Sequence, residues 1–458
     1  MEAYTPLIPE FLVLIAALVA LFAEQVTGTD RGAPWMGAAA ALVAAVVAAA
    51  VGVRDEIAVG GVLRFDEVAV VARTSILALS AVFLLWLAGS SRIVERSQEM
   101  TALVLLAALG GMLMASARDL VALFISIELA TMPAYVLMGY RRDDYPALEG
   151  SLKYFLLSMT TSLFMLYGFS FVFGLTGSTS FSTIQDAGGA GLLWAFASVF
   201  AFVGLFAKMS AAPFHFWAPD AYAGAPAASV AFVSTVPKIA GTAVMVNLAR
   251  VLVPSAPVLL QVLAAGALAS MLLGNLAAFP QTDVRRLMAY SGVAHTGYVL
   301  LAVSTGTSAG YASALVYVIA YAVPSMAVVL IAAEEGPALD DLAGLAVRRP
   351  TAAWSLVVLL LSLVGVPPMV GLFGKLLLFT SALDAGRAAL VIVAVLMSVV
   401  SAGYYFRVLR QAFFAEQPDA AHEPVSGSAK AALGLCVLVT LVAGIALSPL
   451  LSYLGLAF

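Results

Sequence analysis

The chain has 458 residues, of which 63% are hydrophobic and 10% are charged, and its formal net charge is −4. Soluble domains are about 45–50% apolar and about 25% charged, so this composition excludes an ordinary soluble protein and indicates a polytopic membrane protein. With one cysteine, Cys436, the chain has no internal disulfide and no cysteine cluster for an iron–sulfur centre or a structural zinc ion. The small net charge gives no indication of nucleic-acid binding.

Long apolar runs predict an all-α protein with about fourteen membrane-spanning helices, because about 20 apolar residues are needed to cross a bilayer. Strands are not predicted, since the runs lack the ten-residue alternation of a membrane barrel. The first run follows no basic segment, so we expect it to be retained rather than cleaved. Numbered 1 to 14, the predicted spans are 7–27, 33–53, 67–89, 100–117, 119–139, 147–175, 191–212, 224–252, 257–279, 285–304, 309–333, 351–383 (interrupted), 387–414 and 429–456.

Basic residues are distributed unevenly among the short connections between these spans. Connections that follow odd-numbered spans carry most of them, including the pairs at 141–142, 285–286 and 348–349. The positive-inside rule predicts that these connections are cytoplasmic. With an even number of spans, both termini are then predicted on the outer side.

Lysines and one glutamate stand inside predicted spans, where charge is expensive. A charged side chain at the bilayer centre costs about 2.5–3.5 kcal/mol, so we expect these groups to face one another or a hydrated cavity. A lysine whose pKa is brought near neutrality can load and release a proton, whereas arginine stays charged. The pattern therefore indicates a proton relay, and its members are Glu128, Lys153, Lys208, Lys238 and Lys375.

Helix-breaking prolines accompany the same residues, at Pro133, Pro213, Pro237 and Pro367–Pro368. Interrupted helices at matching positions of two halves are typical of inverted-repeat transporters. Spans 7 and 12 are the predicted interrupted pair, so spans 4–8 and 9–13 are interpreted as two inverted five-helix repeats. The predicted division is an N-terminal three-helix segment (1–99), a first transport repeat (100–252), a second transport repeat (257–414) and a C-terminal helix (429–458), all in one integral-membrane unit.

Three of the candidate residues have alternative interpretations. Lys153 lies one turn after Glu149, so a structural i,i+4 pair and a proton-transfer role both remain open. His215, beyond the break after Lys208, and His295, in the middle of span 10, each fit a structural histidine or a proton relay. Neither "DAGGAGLLW" nor "GLFGKLLL" has the context of a nucleotide-binding loop.

Several stretches are similar to the antiporter-like membrane subunits of respiratory complex I and their Mrp antiporter relatives. The family's core signature resembles "FAKMSAAPFHFWAPDAYAGAPAASVAFVSTVPKIAG" (206–241), and its fifth, sixth, tenth and twelfth helices resemble 119–140, 149–177, 283–302 and "GVPPMVGLFGKLLLF" (365–379). The resemblance covers nearly the whole chain. Among the paralogous subunits, "LIPEFLVL" and "GAPAASVAF" resemble subunit N, whereas Lys375 differs from the glutamate usual in subunit M.

The resemblance implies a proton-translocating membrane subunit of a complex-I-type oxidoreductase that transfers electrons from NADH, or another donor, to quinone. It implies that Glu128 pairs with Lys208, that Lys238 connects through His215 or water to Lys375, and that Lys153 matches a lysine of the family's sixth helix. Ala223 departs from the family, where a polar or acidic residue often follows the "PDAY" motif.

No cofactor is expected on this chain, whereas NADH, FMN, iron–sulfur clusters and quinone are expected on partner subunits. The expected partners are a neighbouring antiporter-like subunit and small membrane subunits, in a bacterial cell (inner) membrane. The alternatives are a subunit of an Mrp-type cation/proton antiporter, a subunit of a membrane-bound hydrogenase, and a scaffold that transports nothing.

Overall fold

The computed structural model describes the backbone of residues 2–27, 32–58, 60–90, 94–416 and 424–453, and it is predominantly helical. Besides two short 3-10 helices (Glu2–Leu7 and Leu339–Leu342), the α-helices are, in chain order, α1 (Ile8–Leu21), α2 (Ala23–Thr27), α3 (Ala33–Val51), α4 (Glu67–Gly89), α5 (Ser97–Ser116), α6 (Leu120–Met138), α7 (Tyr145–Thr176), α8 (Phe181–Ala187), α9 (Gly191–Lys208), α10 (Trp217–Gly224), α11 (Ala227–Val233), α12 (Val236–Leu252), α13 (Val258–Ala278), α14 (Val284–Val303), α15 (Ser308–Glu335), α16 (Leu345–Arg348), α17 (Pro350–Val364), α18 (Val370–Asp384), α19 (Ala388–Phe414) and α20 (Gly427–Tyr453).

Twelve helical segments of the described chain are long and apolar enough to cross a membrane, or thirteen if a bent pair, Leu339–Arg348 with Pro350–Val364, counts as one span. Of the fourteen predicted spans, 10 and 12 are not among the twelve. Span 10 corresponds to α14, which carries arginines and a histidine. Span 12 is divided into α17 and α18, of 15 residues each, or about 22 Å at 1.5 Å per residue. The polytopic helical class is confirmed, while the count of fourteen and the inverted repeats stay predictions.

The helices are interrupted beside the buried lysines. The helix of span 7 ends at Lys208, before the predicted end at 212, and a loop of residues 209–216 leads to α10, beyond the predicted span. Span 12 is divided between Val364 and Val370, as its two prolines predicted. A third interruption separates α11 from α12 at residues 234–235, directly before Pro237 and Lys238. Each lysine therefore stands within a few residues of backbone that has left the regular helix.

Pro133 does not interrupt its helix, contrary to the expectation from the sequence. α6 runs without a break from Leu120 to Met138 with this proline inside it. A membrane protein tolerates proline in a helix when surrounding protein compensates for the lost backbone bond. The side chain of Pro133 is itself buried among the neighbouring helices.

The segment that carries Lys238 lies at the centre of the molecule. The spans formed by α11–α12 and by α15 are almost entirely buried, whereas the first, second, thirteenth and fourteenth predicted spans are mostly exposed at the periphery. α14 is also buried along most of its length. α14 packs closely on α13, and α7 on α9. The arrangement keeps the polar side chains of the central helices away from the bilayer.

One hairpin departs from the all-helical prediction. Strands β1 (Arg54–Ala58) and β2 (Leu63–Phe65) pair antiparallel in the connection before α4. Gly60 and Gly61 take positive φ angles of 66° and 87°, which glycine adopts without steric cost. Next to β2, Arg73 is fully buried and donates two hydrogen bonds to the Glu10 carboxylate, at 2.8 and 2.7 Å, which ties α4 to α1.

Candidate functional site

The pair of Glu128 and Lys208 joins α6 to the end of α9. The Lys208 Nζ lies 3.7 Å from Glu128 Oε1, and both side chains are largely buried. Nζ also donates to Ser158 Oγ at 2.9 Å and to Thr131 Oγ1 at 3.2 Å. Glu128 Oε1 accepts from Ser162 Oγ at 2.8 Å, and its second carboxylate oxygen has no hydrogen-bond partner among the described residues. The predicted pairing is present, with one carboxylate oxygen left free.

Lys238 lies on α12, one turn beyond the break at residues 234–235, and its amino group has no carboxylate partner in the described part of the chain. Nζ donates to the Gly292 carbonyl at 2.7 Å and to Thr296 Oγ1 at 3.2 Å. A Cβ at Gly292 would lie 2.8 Å from Nζ, so glycine is what lets the amine reach the α14 backbone. Thr296 Oγ1 in turn donates to the Met209 carbonyl at 2.7 Å. Lys238 is thereby linked through one hydroxyl to the residue after Lys208.

His295 continues the line on the other side of Lys238. Both of its ring nitrogens face tyrosine hydroxyls, Nδ1 at 2.7 Å from Tyr317 and Nε2 at 3.3 Å from Tyr405. The ring is buried and lies 4.5 Å from the ring of Tyr321, over which the Lys238 amino group also sits. Both nitrogens are thus placed to accept or donate a proton.

Lys375 lies on α18, and its amino group reaches back to the break between α17 and α18. Its amino group donates to the Leu363 carbonyl at 2.9 Å, to the Val364 carbonyl at 2.8 Å and to Ser398 Oγ at 2.7 Å. Both carbonyls belong to the last turn of α17, where no further helical residue donates to them. Nζ also lies over the Tyr298 ring, 5.3 Å from its centroid, and that ring neighbours His295 at 5.8 Å. Tyr298 therefore separates Lys375 from His295.

His215, the expected link between Lys238 and Lys375, lies half-exposed in the loop after Lys208, and its ring makes no hydrogen bond to any lysine of the described chain. His295 stands between the two amines, because its ring neighbours the Tyr321 ring beside Lys238 and the Tyr298 ring beside Lys375. Residues 213–216 turn toward the surface, while α14 crosses the centre of the molecule. The expected connection through His215 or water stays a prediction.

Lys153 lies apart from the other lysines. Its amino group pairs with Glu149 at 2.8 Å and with Asp220 at 3.2 Å, and 47% of its side chain is exposed. The i,i+4 alternative predicted from the sequence is therefore the contact that forms. The proton-transfer role of Lys153 stays a prediction.

Hydroxyl groups are the part of this arrangement that the sequence did not single out. Each buried lysine donates to a serine or threonine, and both nitrogens of His295 meet tyrosines. Ser158 and Ser162 stand four residues apart on α7, on one helical face. That spacing is visible in the sequence. Serines and threonines are common in membrane helices, however, so their presence does not indicate which side chain they contact.

No group of three histidine, cysteine, aspartate or glutamate side chains in the described residues is arranged to hold a metal ion. The arrangement consists of one carboxylate, three amines, one imidazole and the hydroxyls between them. Such groups can exchange protons with one another.

The fold and the buried line of titratable groups define a class of helical membrane proteins with ionisable side chains in their interior. A family model described as "NADH:quinone oxidoreductase/Mrp antiporter, TM" matches residues 117–401, which includes every residue of the line. The chain belongs to this family, and the resemblance noted from the sequence is confirmed.

Within the family, the most similar sequences include subunit N proteins. NADH-quinone oxidoreductase subunit N of Rhodospirillum rubrum is 37% identical over 441 residues, which cover 92% of this chain and 89% of the relative. The protein of the same name from Salinibacter ruber is 40% identical over 346 residues, covering 72% and 69%.

Solved structures agree with this placement. A chain of respiratory complex I from Thermus thermophilus superposes with a TM-score of 0.85 at 30% identity, covering 96% of this chain and 98% of that one. A chain of the Mrp complex from Dietzia sp. DQ12-45-1b gives a TM-score of 0.83 at 21% identity, covering 99% and 96%. The second similarity concerns the fold alone.

Proposed function

We propose that this chain is a proton-translocating membrane subunit of a complex-I-type quinone oxidoreductase. Protons would move along Glu128, Lys208, Lys238, His295 and Lys375 while electrons pass from donor to quinone on partner subunits. The relatives named NADH-quinone oxidoreductase subunit N support NADH as the donor, and support neighbouring membrane subunits as partners, in a bacterial cell membrane. The chain itself would carry no redox cofactor.

The observation that carries this proposal is the burial of the line's titratable groups. Three amines and one imidazole are buried in the middle of the molecule, and each is within hydrogen-bond distance of a hydroxyl or a backbone carbonyl. Buried ionisable groups in a membrane protein are expensive, so they are retained where they serve transport. A scaffold would gain nothing from such a line.

Each group has a definite part in the transfer. Glu128 attracts the Lys208 ammonium, and its unpartnered oxygen is free to bind a proton. When a proton neutralises this carboxylate, the ammonium loses its counter-charge, and the Lys208 proton is free to move. Between the two lysines, the Thr296 hydroxyl accepts from Lys238 and donates to the carbonyl of Met209, the residue after Lys208. His295 then passes protonation from the Lys238 side, through its tyrosine partners, toward Lys375.

The test is to replace Lys208 in the assembled complex and to measure proton uptake into inverted membrane vesicles during donor-to-quinone turnover. Lys208→Met removes the titrating amine. Lys208→Arg keeps the positive charge beside Glu128 but cannot release a proton, because the arginine pKa is above 12. Both variants are expected to lower the number of protons moved per quinone reduced by about tenfold or more.

Lys430→Met is the matched control, because that lysine is exposed at the start of α20. It is expected to pump like the natural protein. Normal pumping by Lys208→Met in an intact complex would contradict the proposal, and loss of assembly alone would favour the scaffold. Growth that depends on this chain at high sodium and alkaline pH, without effect on quinone reduction, would favour the Mrp-type or hydrogenase alternative.

A further inference from the structure

A charged cluster outside the proton line connects three helices near the predicted cytoplasmic ends of α7 and α14. Asp220, on the short helix α10, places Oδ2 3.2 Å from Lys153 Nζ of α7 and Oδ1 3.2 Å from Arg286 Nη2 of α14. We call these three residues the Asp220 clamp. Lys153 also pairs with Glu149 of its own helix at 2.8 Å.

The clamp acts on a short segment between two long helices. α10 has eight residues and follows the loop 209–216 after α9. On its α14 side, Arg285 Nη1 donates at 2.6 Å to the carbonyl of Ala225, the residue that follows α10. On its α7 side, the backbones approach so closely that a Cβ at Gly150 would lie 3.0 Å from Ala221 Cα. The carboxylate of Asp220 bridges these two sides.

α10 in turn contacts the surroundings of Lys208. The Trp217 indole nitrogen donates to the Ala207 carbonyl at 3.0 Å, directly before Lys208. The Trp217 ring stacks on Tyr154 at 4.0 Å, Tyr154 lies 4.8 Å from Tyr135, and the Tyr135 hydroxyl accepts from Lys208 at 3.5 Å. A movement of α10 would therefore shift both the backbone and the hydrogen-bond partners of Lys208.

The partner of Asp220 on the other side belongs to the helix that holds the next members of the line. Arg286 lies in the first turn of α14. The same helix supplies the Gly292 carbonyl and the Thr296 hydroxyl to Lys238, and it carries His295. The Asp220–Arg286 contact thus fixes the segment next to Lys208 relative to the helix that receives its proton.

We propose that Asp220 is a positioning residue: by bridging Lys153 and Arg286 it holds α10 between α7 and α14, and so holds Lys208 within reach of Glu128. This inference rests on the proposed function and assigns a role to the three charged residues of the clamp, which lie off the proton line. Exposed ion pairs stabilise a fold only slightly, and the three side chains are 40–47% exposed. The clamp is therefore expected to affect geometry more than stability.

The experiment compares Asp220→Asn, Asp220→Glu and the double variant Lys153→Met/Arg286→Met in the assembled complex, with protons moved per quinone reduced as the readout. Asp220→Asn is expected to lower this ratio about threefold, because the interaction energy of two exposed ion pairs is small. Asp220→Glu keeps the carboxylate and is expected to restore most of it. The double variant is expected to match Asp220→Asn, and adding Asp220→Asn to it should lower the ratio no further.

A loss in Asp220→Asn without a loss in the double variant would show that Asp220 itself passes protons, and would overturn the positioning role. Natural pumping in all these variants would overturn it as well. Lys208→Met measured alongside separates the two proposals, because its normal pumping contradicts the proposed function whatever the clamp does. If Asp220→Asn fails to assemble, Arg286→Met and Lys153→Met, each of which leaves one bridge, carry the same test.

Discussion

At the scale of single residues, the three buried lysines differ in what their amino groups meet. Lys208 faces a carboxylate and hydroxyls, whereas Lys238 and Lys375 face carbonyls and hydroxyls in the described part of the chain. Carbonyl and hydroxyl dipoles stabilise an ammonium, but unlike a carboxylate they carry no charge that a proton could neutralise. Among the described residues, Lys208 is therefore the one buried lysine of the line that is paired with a group, Glu128, whose protonation can change the charge next to it.

A substitution of His295 can be compared directly with the same substitution of His215. In His295→Gln the amide keeps hydrogen bonds to Tyr317 and Tyr405 but cannot exchange a proton between its two sides. We expect protons moved per quinone reduced to fall about tenfold, as for other lost acid–base groups. His215→Gln, in the half-exposed loop, is expected to leave this ratio unchanged. Equal effects of the two substitutions in vesicle pumping assays would argue against the connection through His295.

At the scale of elements, the interruptions and the close helix pairs set where the relay can lie. At the broken end of α17, Lys375 donates to the Leu363 and Val364 carbonyls. At the end of α9, the Trp217 indole and the Ser210 N–H both donate to the Ala207 carbonyl. A helix end in a bilayer needs such partners, because no water is present to supply them. In span 12, the relay lysine Lys375 thus donates to the backbone at the break. After span 7, Trp217 donates to the carbonyl of the residue before Lys208.

Close packing of α13 on α14 gives an element-scale prediction. A Cβ at Gly274 would lie 2.9 Å from Ala294 Cα, next to His295. Gly274→Ala is therefore expected to destabilise the chain by about 1–3 kcal/mol through overpacking, seen as a lower thermal unfolding temperature of the purified complex. Gly174→Ala in α7 is the control, because its Cβ would meet nothing within 4 Å. A Gly274→Ala complex as stable as the control would refute the packing argument.

At the scale of the whole molecule, charge distribution predicts orientation. Asp143 follows the fifth predicted span and neighbours two arginines, while Ser308 follows the tenth predicted span. The positive-inside rule places the first on the cytoplasmic side and the second on the outer side. The same rule places both termini outside.

This orientation can be tested by labelling cysteines introduced at exposed positions. The only natural cysteine, Cys436, is buried and gives little background. We expect Asp143→Cys to react with a membrane-impermeant maleimide in inverted vesicles, and Ser308→Cys to react in right-side-out cells. Reaction of both from the same side would contradict the predicted topology, and reversed labelling would invert it.

The sequence by itself determined that this chain spans a membrane, where its helices break at Pro213 and at the two prolines of span 12, and, except for Lys153, which amines are buried. It could do so because burial of charge and the length of apolar runs are properties of local sequence. The pairing of Glu128 with Lys208 was also expected, through the family resemblance. These residues stand 80 positions apart and meet at 3.7 Å.

Only the tertiary structure decided how the line continues and what surrounds it. It placed His295 between Lys238 and Lys375, kept α6 continuous through Pro133, and placed Lys153 in an exposed cluster with Asp220. Each outcome depends on which helices pack together at the centre and which face outward. That choice is made by contacts between residues far apart in the chain, which apolar periodicity cannot distinguish because most of the long helices here are apolar.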